Sequence, residues 1–227
     1  MIERWFVTGT DTDVGKTLAS CALLQAATRA GYRCAGYKPV ASGSEQTPAG
    51  LRNGDALLLQ ASGSVRLDYD EVNPLAFAEA TSPHIASAAE GRPVSLARLS
   101  DGLRRIERRA DWIVVEGAGG WFTPLSGRET LADWVAAERL PVILVVGMKL
   151  GCINHALLTA AAIAQAGLTL GGWIANAVVA PGRRQAEYLA TLRQSLNAPL
   201  LGEIPHLPAG RRQDLAAYLD LAPLAPR

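Results

Sequence analysis

The segment Gly9-Thr10-Asp11-Thr12-Asp13-Val14-Gly15-Lys16-Thr17 carries the residue types that a phosphate-binding loop requires. In such a loop, backbone N–H groups converge on phosphate oxygens, Lys16 would reach the β- and γ-phosphates, and the Thr17 hydroxyl would ligate Mg²⁺. The common pattern has about four residues between its first glycine and the Gly-Lys pair; here there are five, so this is a variant loop. A glycine turn that merely caps a helix is the plain alternative, but it has no need of a Lys-Thr pair. A second candidate is Glu116, which closes the apolar run Trp112–Val115 and precedes Gly117-Ala118-Gly119-Gly120. A carboxylate at such a strand end would offer Mg²⁺ a further contact, and glycines let a ligand approach the backbone closely. An ordinary solvated strand end is its alternative.

Lys38 stands in Tyr37-Lys38-Pro39-Val40-Ala41-Ser42-Gly43, where its ammonium could neutralise a transferring phosphoryl group beside the Ser42 hydroxyl. A structural ion pair would also explain it. Of the 22 basic residues only Lys16, Lys38 and Lys149 are lysines. Arginine serves everywhere else, so the lysines read as sites that need a compact ammonium rather than a planar fork. Asp55, in Arg52-Asn53-Gly54-Asp55, reads first as a helix start and second as a metal ligand. Gly151-Cys152-Ile153-Asn154 opens a helix whose free N–H groups could hold a carboxylate, or it is simply a turn. His84, His155 and His206 lack metal-like spacing, and no His/Asp pattern makes Cys152 a nucleophile. Trp121 and Phe122 read as packing residues.

These residues need elements to position them. Apolar runs at Trp5–Thr8, Cys34–Lys38, Trp112–Glu116, Val142–Val146, Gly172–Ala175 and Leu200–Ile204 alternate with helical patterns. The helices are expected near Lys16–Ala30, Leu96–Arg109, Leu131–Glu138, Ile153–Ala166 and Arg184–Leu196, the first ended by Gly31. Solidly apolar strands alternating with helices predict an α/β fold, a parallel sheet covered on both faces with right-handed crossovers. Ala41–Arg92 is less regular and predicts short helices and ordered loops over the sheet edge. In such sheets ligands bind at the carboxyl ends of the strands, and all three lysines fall just past such ends. They predict an anion-handling rim.

The composition is consistent with one globular domain spanning residues 1–227: 49% hydrophobic, 19% charged and formally +1 in net charge, with mean hydropathy +0.12. Near-neutral charge speaks against nucleic acid or an anionic membrane surface as partner. No apolar run approaches the roughly 20 residues of a membrane span. A start without signal-peptide character and three scattered cysteines point to the cytoplasm.

The set GTDTDVGKT (9–17), AGYKPVASG (35–43), RNGDA (52–56), TSPHIA (81–86), VEGAGGW (115–121) and MKLGCINHALLT (148–159) resembles dethiobiotin synthase, in order along the chain to at least Pro205. The five-residue loop spacing is that family's own form. The resemblance implies a P-loop NTPase-like fold, a homodimer, and an enzyme that uses ATP and Mg²⁺ to join CO₂ to 7,8-diaminononanoate, closing the cyclic urea of dethiobiotin. It implies that Asp13, Val14, Gly15, Lys16, Thr17 and Leu18 line the ATP phosphates, with Gly117, Ala118 and Gly119 nearby. Thr17, Asp55 and Glu116 would contact Mg²⁺, and Lys38 would be catalytic together with Lys16. Thr12 and Ser42 would touch the amine or carbamate end of the substrate. Across the dimer, Gly151, Cys152, Asn154 and Tyr188 would hold its carboxylate tail. Asn176 and Ala177 would read adenine, helped by Pro205, His206 and Leu207.

Two features depart from the family pattern: Ala177 where many members carry an acidic residue, and a divergent tail after His206. Both fall at the expected base pocket. The competing readings are a nucleotide-dependent regulatory ATPase, which would usually carry an extra lysine early in the loop, and an amidoligase. The latter needs a glutaminase domain for which 227 residues leave no room.

Overall fold

The computed structural model describes residues 2–180, 182–207 and 214–224. In chain order the elements are β1 (Glu3–Gly9), α1 (Lys16–Arg29), β2 (Cys34–Tyr37), β3 (Val40–Ala41), β4 (Glu45–Thr47), β5 (Gly50–Arg52), α2 (Gly54–Ser62), α3 (Tyr69–Val72), β6 (Leu75–Ala76) and α4 (Pro83–Ala89). They continue as α5 (Leu96–Glu107), β7 (Trp112–Glu116), α6 (Leu131–Glu138), β8 (Val142–Gly147), α7 (Cys152–Gln165), β9 (Leu170–Asn176), α8 (Gln185–Ser195) and β10 (Leu200–Ile204). Two 3₁₀ turns follow, at Leu215–Tyr218 and Ala222–Leu224. Among the described residues no helix is long and apolar enough to cross a membrane.

Six strands form one parallel sheet in the order β10-β9-β8-β1-β7-β2. Its two faces sort the side chains by alternation, as a pleated strand must. Val142, Ile143, Val145 and Ile174 join the large core formed with α1, α2, α5 and α6. Leu144, Val146, Trp173 and Ala175 join a second core with Cys152, Ala156, Leu192 and Leu196 of α7, α8 and its end. Both faces are thus covered, which is why the strands read as unbroken apolar runs. Each fully buried Val, Leu or Ile here stabilises the fold by roughly 1.5–3 kcal/mol, so the rim residues hang from a rigid frame.

Register sets that rim. Val7 lies beside Glu116, Gly9 beside Val145, and Tyr37 beside Val115. The loop after β1, the end of β7 and the end of β2 therefore emerge together, beside the central strand whose neighbours are β7 and β8. Gly147 permits the close seat of that loop: a Cβ there would lie 2.7 Å from Cγ1 of Val14. Helix α1 ends as expected at Gly31, which has φ +91°. The Gly31 N–H donates to Thr28 O and the Tyr32 N–H to Ala27 O, closing the helix.

Some expectations need correction. Strand β2 stops at Tyr37, so Lys38 lies one residue beyond it, pinned before Pro39. Helix α2 is capped by Asn53, not Asp55, which lies in its first turn: the Asn53 Oδ1 accepts from the N–H groups of Asp55 and Ala56. Ala41–Arg92 holds β3 paired with β6, the β4–β5 hairpin, and α2, α3 and α4. Phe122 is 62% exposed but meets the ring of Trp121 edge-on, and Trp121 is itself buried edge-on to Phe6.

Candidate functional site

The loop between β1 and α1 is held open by backbone that few residues adopt. Asp13 has φ +58° and Gly15 φ +84°, and α1 begins directly after Gly15 with no side chain capping its first N–H groups. Those donors are left for a ligand. Lys16 folds back along the loop, its Nζ donating to Asp11 O at 3.1 Å. From the far side, the Asn176 Nδ2 donates to Val14 O at 2.8 Å, while its buried Oδ1 has no partner.

Glu116 is the centre of the charged cluster and is fully buried. Its Oε1 accepts from Thr17 Oγ1 at 2.9 Å and from Lys38 Nζ at 2.7 Å. Its Oε2 is buried and accepts from nothing. Asp55 Oδ2 approaches Lys38 Nζ to 3.4 Å from the first turn of α2. Burial alone would lower the pKa of Lys38, but the carboxylates of Glu116 and Asp55 outweigh it and hold the ammonium above its usual value. Lys16 goes the other way: burial lowers its pKa, the Lys38 charge adds to that, and Glu116, Asp55 and Asp13 only partly offset it. Two ammonium groups and two carboxylates thus share one corner. Among the described residues no three His, Cys, Asp or Glu side chains cluster as a metal cage; two carboxylates and a hydroxyl suit a cation that draws its other ligands from phosphate and water.

These groups surround one cleft of about 1190 Å³. Thr12, Asp13, Gly15, Lys16, Thr17, Leu18, Lys38, Ser42, Asp55, Ala118 and Gly119 line it, as do Asn176, Ala177, Pro205, His206 and Leu207 at its other end. Val14, Glu116 and Gly117 stand behind that lining. The Nδ1 of His206 lies 3.3 Å from Ala177 O, tying the loop after β10 to the end of β9. Gly151, Cys152, Asn154 and Tyr188 do not line the cleft: Cys152 is buried, Gly151 and Asn154 are exposed and Tyr188 is half-buried. Lys149 also stays outside, paired with Asp11 at 3.4 Å on the exposed shoulder of the loop, so two of the three lysines enter the site.

The residues alone did not single out Asn53, Tyr69 and Asn73, which brace Lys38 from below. The Asn-Gly pair at 53–54 is a capping signal. Tyr69 and Asn73 carry none, because their partners lie 16 and 35 residues away. Glu45, Thr81 and Ser82 also line the cleft, with no role implied by their residue types and spacing.

Comparison with known proteins agrees with this geometry. A family model described as an AAA domain matches residues 3–213. The ATP-dependent dethiobiotin synthetase BioD of Serratia marcescens is 69% identical over 226 residues, covering 99% of this chain and all of that protein. BioD 1 of Escherichia coli K12 is 69% identical over 224 residues, covering 98% and 99%. BioD of Yersinia pestis bv. Antiqua (strain Angola) is 67% identical over 230 residues, covering 99% and 96%. Among solved structures, the MinC:MinD complex of Aquifex aeolicus superposes with a TM-score of 0.55 at 16% identity, covering 91% of this chain and 82% of that one. Aquifex aeolicus MinD gives 0.54 at 14% identity, covering 94% and 86%. At such identities the likeness concerns the P-loop NTPase-like fold alone. Identities near two thirds over almost the whole length concern the enzyme, and the chain belongs to the ATP-dependent dethiobiotin synthetase family, ligases of biotin biosynthesis.

Proposed function

We propose that the chain, acting as one P-loop domain over residues 1–227, joins CO₂ to 7,8-diaminononanoate and closes the cyclic urea of dethiobiotin. One amine adds to CO₂ and loses a proton, giving an anionic carbamate. A carbamate oxygen attacks the γ-phosphate of ATP in line, forming a carbamic–phosphoric anhydride as ADP leaves. The second amine attacks the carbamoyl carbon, the ring closes, and phosphate departs. Negative charge gathers on the carbamate and the transferring group, so the protein's task is positioning and electrostatic stabilisation. The observation that carries this reading is the convergence of Lys16, Lys38, Thr17, Asp55 and Glu116 on one cleft that also reaches Asn176.

In this reading the N–H groups from Asp13 to Leu18 and the Lys16 ammonium hold the triphosphate. Lys38 lies against the transferring phosphoryl, and Thr12 and Ser42 face the amine or carbamate end. Asn176 uses its unpartnered Oδ1 to accept from the adenine amine, with Ala177, Pro205, His206 and Leu207 walling the base. Thr17, Glu116 and Asp55 would hold Mg²⁺. The unpartnered, buried Oε2 of Glu116 supports that fit, since a bare carboxylate oxygen shut from water calls for a cation or donor. When bound, the ion would supply positive charge against the phosphates and the developing negative charge.

A homodimer completes the site. Gly151, Cys152, Asn154 and Tyr188 would take the substrate's carboxylate tail from across the interface, and the exposed Leu150 (85%) and Leu158 (62%) beside them support a covered surface there. Buried free thiols at Cys34 and Cys152 favour a cytoplasmic setting. The test is ADP release measured with and without the diamine and bicarbonate. Dependence on both is expected; release indifferent to them would overturn the synthase reading in favour of a nucleotide switch.

A further inference from the structure

Behind the cleft lies a polar chain shut from water. Asn53, Tyr69 and Asn73 are 6%, 8% and 2% exposed. The Asn53 N–H donates to the Tyr69 oxygen at 2.7 Å, and the Tyr69 hydroxyl donates to Asn73 Oδ1 at 2.9 Å. Asn73 Nδ2 in turn donates to Lys38 O at 2.7 Å. The backbone N–H of Lys38 donates to Val72 O at 2.8 Å, one residue from Asn73. At the other end, Asn53 Nδ2 donates to Ser42 O at 3.2 Å, while its Oδ1 caps the turn that carries Asp55. Three segments of the site, those bearing Lys38, Ser42 and Asp55, are therefore clamped to one tyrosine hydroxyl and two amides.

We infer that Tyr69, with Asn53 and Asn73, forms a positioning relay that sets the Lys38 backbone in register with Ser42 and Asp55. Tyr69 and Asn73 do not line the cleft and stand behind it, while Asn53 reaches its wall, so the first two act on the site only through other residues. Their contacts fix backbone rather than side-chain ends. Lys38 follows β2 by one residue, beyond the reach of the sheet ladder. Without the relay only Val72 O would anchor its main chain. Buried amides and hydroxyls are tolerated when every donor has a partner, and a satisfied network specifies a single arrangement. Burial raises the Tyr69 pKa, which keeps the hydroxyl a donor to Asn73 across the working range. The Arg52 guanidinium, stacked 4.1 Å from the Tyr69 ring centroid, fixes the ring from its face.

The inference rests on the catalytic role proposed for Lys38, and the experiment separates the two. Tyr69→Phe removes one oxygen and leaves the stacked ring. In the full-length enzyme kcat is expected to fall roughly tenfold or more, because small misplacements of a catalytic group are amplified in rate. The KM for ATP should stay within about twofold, since the phosphate loop is anchored elsewhere. Asn73→Ala should act likewise, and the double variant should lose no more than the larger single loss, as members of one network do. A smaller fall in kcat, an equal rise in the KM for ATP, or losses that multiply in the double variant would each overturn the relay. If Tyr69→Phe does not accumulate as folded protein, Asn73→Ala, which loses the donor to Lys38 O at a residue outside the cleft lining, is judged alone by the same kcat and KM criteria. Lys38→Ala is measured in parallel. Should it retain turnover, the catalytic reading of Lys38 fails; should it be inactive while Tyr69→Phe is fully active, only the relay fails.

Discussion

Lys38 Nζ and Glu116 Oε1 stand 2.7 Å apart in an ion pair whose side chains are 4% and 0% exposed. Neither charge would persist there alone, because desolvating a single ion is costly and only a close opposite charge offsets it. The pair joins the residue after β2 to the last residue of β7, and Thr17 of the phosphate loop binds the same carboxylate oxygen. The site is thus wired through one buried glutamate.

Lys38→Ala is expected to lower turnover by roughly three orders of magnitude, the scale on which removing a positioned charge from a transferring phosphoryl acts. Lys38→Arg should not rescue it. The seat, 2.7 Å from Glu116 and 3.4 Å from Asp55, fits a compact ammonium, and a forked guanidinium would have to displace one of them. Steady-state turnover with diamine, bicarbonate and ATP checks both; wild-type rates in either variant would contradict the electrostatic role.

Glu116→Gln should destabilise the protein by about 3 kcal/mol, since it leaves a buried ammonium with only the half-exposed Asp55. A Lys38→Met, Glu116→Gln double variant should recover most of that loss yet remain inactive. Urea unfolding read beside activity distinguishes the two; a double variant no more stable than Glu116→Gln alone would refute the account.

Gly15→Ala is expected to weaken ATP binding by roughly tenfold or more, a change of about 1.4 kcal/mol. The backbone sits at φ +84°, and a Cβ would lie 2.0 Å from Asn176 Nδ2. Either the loop or the asparagine must give way. Calorimetric titration with ATP and Mg²⁺ reads the loss, and unchanged affinity would mean that the Asn176–Val14 contact is dispensable.

A pH effect is expected at α6. The Thr130 N–H donates to Asp133 Oδ2 at 2.7 Å and, with the Thr130 hydroxyl, lowers the Asp133 pKa from its ordinary 3.8. A depressed carboxylate contributes stability above its unfolded pKa and loses it as pH falls through the folded one. Asp133→Ala should therefore cost about 0.3–1 kcal/mol at neutral pH, with the gap to the parent closing in acid below that lowered value. Chemical unfolding at several pH values checks this; a gap independent of pH would exclude the ionised cap.

The sequence by itself determined the strand–helix alternation, the parallel class and the phosphate loop, because these depend on local periodicity and on spacings such as Gly15-Lys16-Thr17. It also marked Lys38 and Glu116 as chemistry-bearing, since a lysine is rare in this chain and a glutamate closes an otherwise apolar strand. What only the tertiary structure decided were relations across long separations. Asn53 rather than Asp55 caps α2, leaving Asp55 to face Lys38. Lys149 turns to Asp11 and leaves the cleft to the other two lysines. Tyr69 and Asn73, with no motif of their own, brace Lys38 through bonds that exist only once β2, α2 and α3 have packed. Periodicity encodes which face of an element is buried; it does not encode which distant polar group will be there to meet a donor.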